Sequence, residues 1–254
     1  MPAVRWGPVV GALIQVLFLA VLDLTAGLGL SGWAAGVAYT AVLAVALDRG
    51  LRRAGVSRLR PADRVTMARA ILVGGVTALV ADSLSDRPTP VAVLVSMAAV
   101  ALALDGLDGY VARRTGTASE LGARFDMEVD AFLIFVLSVF LVRPYGAWVL
   151  AIGGMRYAFV VAGWVLPWMG GRLPPRQWRK VVAATQGIVL TVVAAGVLPD
   201  VLAVVAVAAA LALLVESFGR DVLWLLNHHG PGAGTVWTDE RSDEGAERGG
   251  KAVP

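Results

Sequence analysis

Asp105-Gly106-Leu107-Asp108-Gly109-Tyr110-Val111-Ala112-Arg113, then eight residues, then Gly122-Ala123-Arg124-Phe125-Asp126-Met127-Glu128-Val129-Asp130: this stretch closes one apolar run and opens the next. Asp105 and Asp108 stand three apart and Asp126 and Asp130 four apart. On α-helices each spacing puts both carboxylates on one face. The connection is short, so the two helices read as antiparallel neighbours with four carboxylates converging at one end of a hairpin, at the membrane's edge. Four anions do not gather there unless cations neutralise them or some take up protons. Oxygen-only ligands select hard cations such as Mg²⁺ or Mn²⁺. Two such ions about 3.5–4 Å apart can clamp a phosphoryl group during its displacement. The cluster therefore reads as a metal–pyrophosphate site. Gly106 and Gly109 each cost a helix up to about 1 kcal/mol relative to alanine. That cost makes sense where backbone must approach a ligand or a neighbouring helix closely, and Ala112 and Gly122 extend the same small-residue surface.

The chain around this stretch is 57% hydrophobic, with a mean hydropathy of +0.72. That is far above a water-soluble domain of ordinary composition. Continuous, non-alternating apolar runs argue for spanning helices and against a β-barrel. Reading the runs against charge clusters predicts eight spans, at 8–29, 32–48, 65–82, 90–112, 122–142, 146–168, 181–199 and 201–226. The first run reads as a span rather than a secretory signal, because it is long, holds Asp23 and lacks a small-residue cleavage site. The chain has no cysteine, and its two histidines, His228 and His229, adjoin a polar tail. Thiolate chemistry, disulfides and histidine-based sites inside the bundle are excluded, which leaves carboxylates, arginines and hydroxyls.

Arginine distribution gives the topology. Arg49, Arg52, Arg53, Arg58, Arg60 and Arg64 crowd one connection, Arg113, Arg114 and Arg124 another, and Arg172, Arg176, Arg179 and Lys180 a third. The connections between them carry one arginine or none. By the positive-inside rule the basic connections, both termini and the carboxylate site face the cytoplasm. The expected organisation is a pair of N-terminal transmembrane helices over 1–48, a basic juxtamembrane segment over 49–64, a six-helix transmembrane domain over 65–226, and a disordered polar tail over 227–254. The stretch from Val56 to Asp63 reads equally well as a surface-lying segment or as an ordinary basic loop. Most of the eight tryptophans fall near span ends, as interfacial anchors do.

The string D-x-x-D-G-x-x-A-R, eight residues, G-x-x-x-D-x-x-x-D resembles the signature of the CDP-alcohol phosphatidyltransferase family. Every position is filled, by Asp105, Asp108, Gly109, Ala112, Arg113, Gly122, Asp126 and Asp130. The resemblance implies an integral cytoplasmic-membrane enzyme whose six-helix core here carries two extra N-terminal helices. It implies two Mg²⁺ or Mn²⁺ per active site, held by Asp105, Asp108, Asp126 and Asp130, with Asp130 also the general base toward the acceptor hydroxyl. Gly109, Ala112, Arg113, Gly122 and Ser119 fall where the family meets the CDP-lipid. Upstream, Asp63-Arg64-Val65-Thr66-Met67-Ala68-Arg69 is similar to the family's N-x-x-T-x-x-R pattern, with aspartate in place of asparagine, and adds Thr66 and Arg69 to the donor site. The expected partners are CDP-diacylglycerol, a polar alcohol acceptor, membrane lipid and a second copy in a homodimer, with no nucleic acid.

Arg156, Arg179 and Lys180 lean the acceptor toward a phosphate-bearing alcohol: glycerol 3-phosphate, inositol 1-phosphate or phosphatidylglycerol. Glu216 reads as an internal partner of Arg156 or another basic residue. Two other classes share some of these features. A membrane prenyltransferase also holds Mg²⁺–pyrophosphate on aspartates, but on two distant helix pairs. A non-catalytic divalent-cation transporter needs a site near the bilayer midplane, where these four residues do not fall.

Overall fold

The structure is a computed structural model that describes residues 6–53, 55, 61–115, 120–166, 168 and 177–227. Within that range the side chains of residues 6, 61–62, 107–115, 120–121 and 177 are outside the description. The predicted tail from 228 onward, most of the stretch from Val56 to Asp63, and Ser119 also lie outside the described residues.

Eight α-helices account for almost all of the described chain, and no strand occurs among the described residues. They are α1 (Trp6–Ala26), α2 (Leu30–Arg53), α3 (Pro61–Leu84), α4 (Val91–Thr115), α5 (Glu120–Tyr145), α6 (Leu150–Val165), α7 (Gln177–Ala194) and α8 (Asp200–Asn227). The protein is an all-α, polytopic membrane bundle. Each predicted span has its helix, and the differences lie at the ends. α2 continues through Arg49, Arg52 and Arg53, and α3 already begins at Pro61, with Asp63 in its first turn. Hydropathy marks where lipid contact stops, whereas a helix continues until its backbone is capped. Proline is suited to a first helical position, where its missing N–H costs nothing. α7 stops at Ala194, short of the predicted 199, because Gly196 takes a left-handed φ of 65° and its N–H turns back to the Val193 carbonyl.

Among the described residues, five helices are long and apolar enough to be recognised as spans from composition alone, and the described part of α4, Val91–Gly106, is apolar as well. α5 carries the carboxylates of the motif close to its apolar run, and α7 opens with Arg179 and Lys180, which lowers the hydropathy of both.

α3 is the centre of the bundle. It packs against α1, α2, α4 and α5, and 67% of its apolar window is buried, against 17–28% for the other four candidate spans. The sequence reads α4 and α5 as antiparallel neighbours, and the structure adds that their packing runs largely through α3. Among the described residues they touch only marginally, while each packs extensively on α3. The carboxylates converge because both helices lean on a third.

On its other side α3 receives the two N-terminal helices. Fully buried Gln15 of α1 fills the notch at Gly74, where an added Cβ would stand 2.5 Å from the glutamine amide. At the end remote from the motif, buried Asp82 of α3 caps the start of α2. It accepts hydrogen bonds from the Gly29 N–H (2.7 Å), the Ser31 hydroxyl (2.7 Å) and the Gly32 N–H (2.6 Å). The two N–H groups are backbone donors that a helix start cannot satisfy by itself. Asp82→Ala is expected to lower unfolding stability in detergent by about 2–3 kcal/mol, since it strands buried donors. Asp82→Asn, which keeps one acceptor oxygen, is expected to lose about half as much. Chemical unfolding monitored by tryptophan fluorescence measures both, and unchanged midpoints would remove the cap from the account of the fold.

Candidate active site

Arg69 organises the site. It lies two turns into α3, is 1% exposed, and projects into the gap between α4 and α5. Its Nε donates to the Ala101 carbonyl of α4 at 3.0 Å. One terminal nitrogen pairs with Asp105 of α4 at 3.0 Å and with Asp126 of α5, and the other pairs with Asp130 of α5. Asp126 and Asp130 reach the same guanidinium because their four-residue spacing stacks them one above the other. The buried side of the site thus draws on three helices, and arginine's planar fork suits several carboxylates at once.

The three carboxylates are each about a third exposed, at 39%, 31% and 30%. They therefore sit at the open end of the bundle while their counter-ion is buried. Each offers one oxygen, and the three oxygens lie within 4.8 Å of one another. Among the described residues of the cluster, one guanidinium stands against three carboxylates, a negative balance. Hard oxygen donors at that spacing with charge to spare suit a divalent cation, so these residues fit the metal site that the sequence implies. Asp108 falls one turn beyond Asp105 on helical backbone, and its side chain lies outside the description, as do those of Ala112 and Arg113 and the surroundings of Gly109.

Other residues named from the sequence are distributed as follows. Thr66 is buried one turn before Arg69 on α3, and Gly122 lies half-buried in the first turn of α5. At Gly106 no described atom comes within 4 Å of an added Cβ. Arg156 of α6 pairs with Glu128 of α5, and Arg179 of α7 lies 3.3 Å from buried Asp221 of α8. Lys180 is exposed beside it. Glu216 does not pair with Arg156; it meets Arg220 and accepts from the Trp178 indole at 3.1 Å.

Sequence reasoning missed two features. Glu128 sits between the two α5 aspartates but points off their face, toward α6, and only the four-residue rhythm of Asp126 and Asp130 hinted at that. Tyr39 of α2 donates its hydroxyl to the Ala70 carbonyl at 2.9 Å and stacks on Phe132 of α5, with centroids 5.3 Å apart. Both partners are remote in sequence, so no local pattern marks them.

The sequence model described as CDP-alcohol phosphatidyltransferase matches residues 60–215 of this chain. The matched segment holds α3 to α7 and most of α8, including Arg69 and all four motif aspartates, while α1 and α2 precede it. No curated protein and no solved structure gives a significant match.

Proposed function

We propose, because this chain belongs to the CDP-alcohol phosphatidyltransferase family, that it moves a phosphatidyl group from CDP-diacylglycerol to the hydroxyl of a polar acceptor and releases CMP. The observation that carries the reading is the convergence of Asp105, Asp126 and Asp130 within 4.8 Å at one open end of the bundle. An edge position suits a donor whose nucleotide is wet and whose acyl chains stay in lipid. The arginine-rich connections at that same end support a cytoplasmic orientation.

Asp105, Asp108, Asp126 and Asp130 hold divalent cations, Mg²⁺ or Mn²⁺. Bound there, such ions supply charge stabilisation to the diphosphate of the donor. The chain's own residues do the rest. Gly106 and Gly109 leave room for the nucleotide, Ala112, Arg113, Ser119 and Gly122 line its path, and Thr66 and Arg69 meet the donor from α3. Asp130 takes the proton from the acceptor hydroxyl as the new oxygen–phosphorus bond forms. The bond to CMP breaks, and CMP leaves with the electron pair.

A phosphate-bearing acceptor (glycerol 3-phosphate, inositol 1-phosphate or phosphatidylglycerol) meets Arg156, Arg179 and Lys180. Arg156 and Arg179 already carry carboxylate partners, Glu128 and Asp221. Acceptor phosphate therefore exchanges with those carboxylates rather than meeting bare guanidinium groups, which moderates its affinity.

The test is CMP release from CDP-diacylglycerol by the purified full chain in detergent, with Mg²⁺ or Mn²⁺, against a panel of polar acceptors. Metal-dependent release that requires one acceptor establishes the reaction and its product. Alongside it, Arg156→Gln is expected to raise the acceptor KM by about tenfold or more for a phosphorylated alcohol while changing kcat little. An unchanged KM removes Arg156 from the acceptor site. Metal binding without CMP release toward any acceptor overturns the catalytic reading.

A further inference from the structure

We infer that Tyr39 is a positioning residue for the carboxylate site, through which the two helices preceding the family match brace the catalytic machinery. The inference rests on reading Asp105, Asp126 and Asp130 as a metal site, and adds a part to it from outside the matched residues.

The geometry is a second cross-brace behind the first. Arg69 ties α3 to α4 and α5 on the side that faces the site. Tyr39 ties α2 to α3 and α5 on the side away from it. Its hydroxyl holds the carbonyl of Ala70, the residue after Arg69, at 2.9 Å. Its ring lies on Phe132, two residues after Asp130, with planes 26° apart. One side chain thus fixes the spacing between the helix that carries Arg69 and the helix that carries Asp126 and Asp130.

The brace itself is held rigidly. An added Cβ at Gly36, one turn before Tyr39, would stand 2.7 Å from Leu19 of α1, so α1 and α2 meet closely at that level. On α3, Met67 contacts Gly11 of α1 and Gly74 receives Gln15, one turn on either side of Ala70. Ridges packed this closely transmit a displacement rather than absorb it. Metal ligands lose affinity when their separation changes by a fraction of an ångström, and the groups that orient them are commonly worth tenfold or more in binding.

The experiment uses the full chain in detergent with four forms: wild type, Tyr39→Phe, Tyr39→Leu and Asp82→Asn. Mn²⁺ affinity is read from the loss of the free-ion electron paramagnetic resonance signal, and amide hydrogen exchange is followed over residues 126–136. Tyr39→Leu removes the hydrogen bond and the ring stack together. It is expected to weaken Mn²⁺ binding by about tenfold and to speed exchange in that segment. Tyr39→Phe keeps the stack and is expected to recover most of both. Asp82→Asn destabilises the same helix pair at its other end and is expected to leave both readings at wild-type values. Wild-type affinity and exchange in Tyr39→Leu overturn the inference, as does an equal loss in Asp82→Asn, which would make the effect one of general stability. If wild type binds no Mn²⁺, the metal reading falls, and the exchange comparison alone decides whether Tyr39 holds α5 in place.

Discussion

Asp130→Asn is expected to lower metal-dependent CMP release by at least about a thousandfold while leaving the protein folded and divalent metal largely bound. The magnitude follows from the role. A positioned base contributes about 10²–10⁴ in rate, and the amide can neither accept the proton nor help neutralise a cation. Folding survives because the substitution is nearly isosteric, and because Arg69 keeps its contacts with Asp105, Asp126 and the Ala101 carbonyl. Metal survives because Asp105 and Asp126 remain in place. Asp126→Asn is the informative contrast, since the proposed mechanism gives Asp126 the role of ligand and not of base. That variant is expected to lose Mn²⁺ affinity and activity together. The pair separates the roles when CMP release is measured by chromatography and Mn²⁺ binding by resonance on the same preparations. Equal metal loss in both variants would make Asp130 a ligand only. Full activity in Asp130→Asn would remove it from the chemistry.

The helices and the chemistry were legible in the sequence for different reasons, and each reading stopped at a physical limit. Apolar runs located every helix, because lipid exposes so much of α1, α2, α6 and α8 that their composition records the solvent. The ends were less legible. Arg49, Arg52 and Arg53 continue α2 past the apolar window, since basic residues are welcome in a last helical turn. The four-residue spacing of Asp126 and Asp130 put both carboxylates on one face, and the structure has them on one guanidinium, while the side chain of Asp108 lies outside the description. That spacing did not show what packs the helices that bear them. A short connection implies contact between α4 and α5, yet α3 supplies most of the packing for both. Arg69 was visible as part of a sequence pattern, but its three carboxylate partners lie 36–61 positions further along the chain, and nothing local announced them. The same holds for Asp82, whose partners lie 50–53 residues away, and for Tyr39. Local pattern reports the solvent around a helix and the faces it presents. It does not report which helix stands opposite.

Arg69→Met is expected to produce the largest loss of stability of any single change near the site, and one that divalent metal reverses. Methionine approximates the length and volume of the arginine stem, so packing in the core of α3 changes little. What disappears is the positive charge that Asp105, Asp126 and Asp130 share. Removing one partner of a buried ion pair costs about 3–5 kcal/mol. Here the carboxylates are each about a third exposed, and water screens part of their repulsion, which points to the lower end, about 3 kcal/mol. A divalent cation binds those same carboxylate oxygens without having to compete with a guanidinium. Saturating Mg²⁺ at about a hundred times its Kd restores about 2.7 kcal/mol through binding to the folded state alone. In melts run with chelator and with Mg²⁺, the variant is therefore expected to show the lower Tm in chelator and the larger metal-induced rise. Arg69→Lys keeps the charge but loses the fork, and is expected to fall between. CMP release is expected to stay low in both variants even with metal, because Arg69 also fixes the relative positions of Asp105, Asp126 and Asp130. A metal-induced rise no larger than in wild type would show that Arg69 and the cation do not share these carboxylates, and the site would then have to be rebuilt around Asp108 instead.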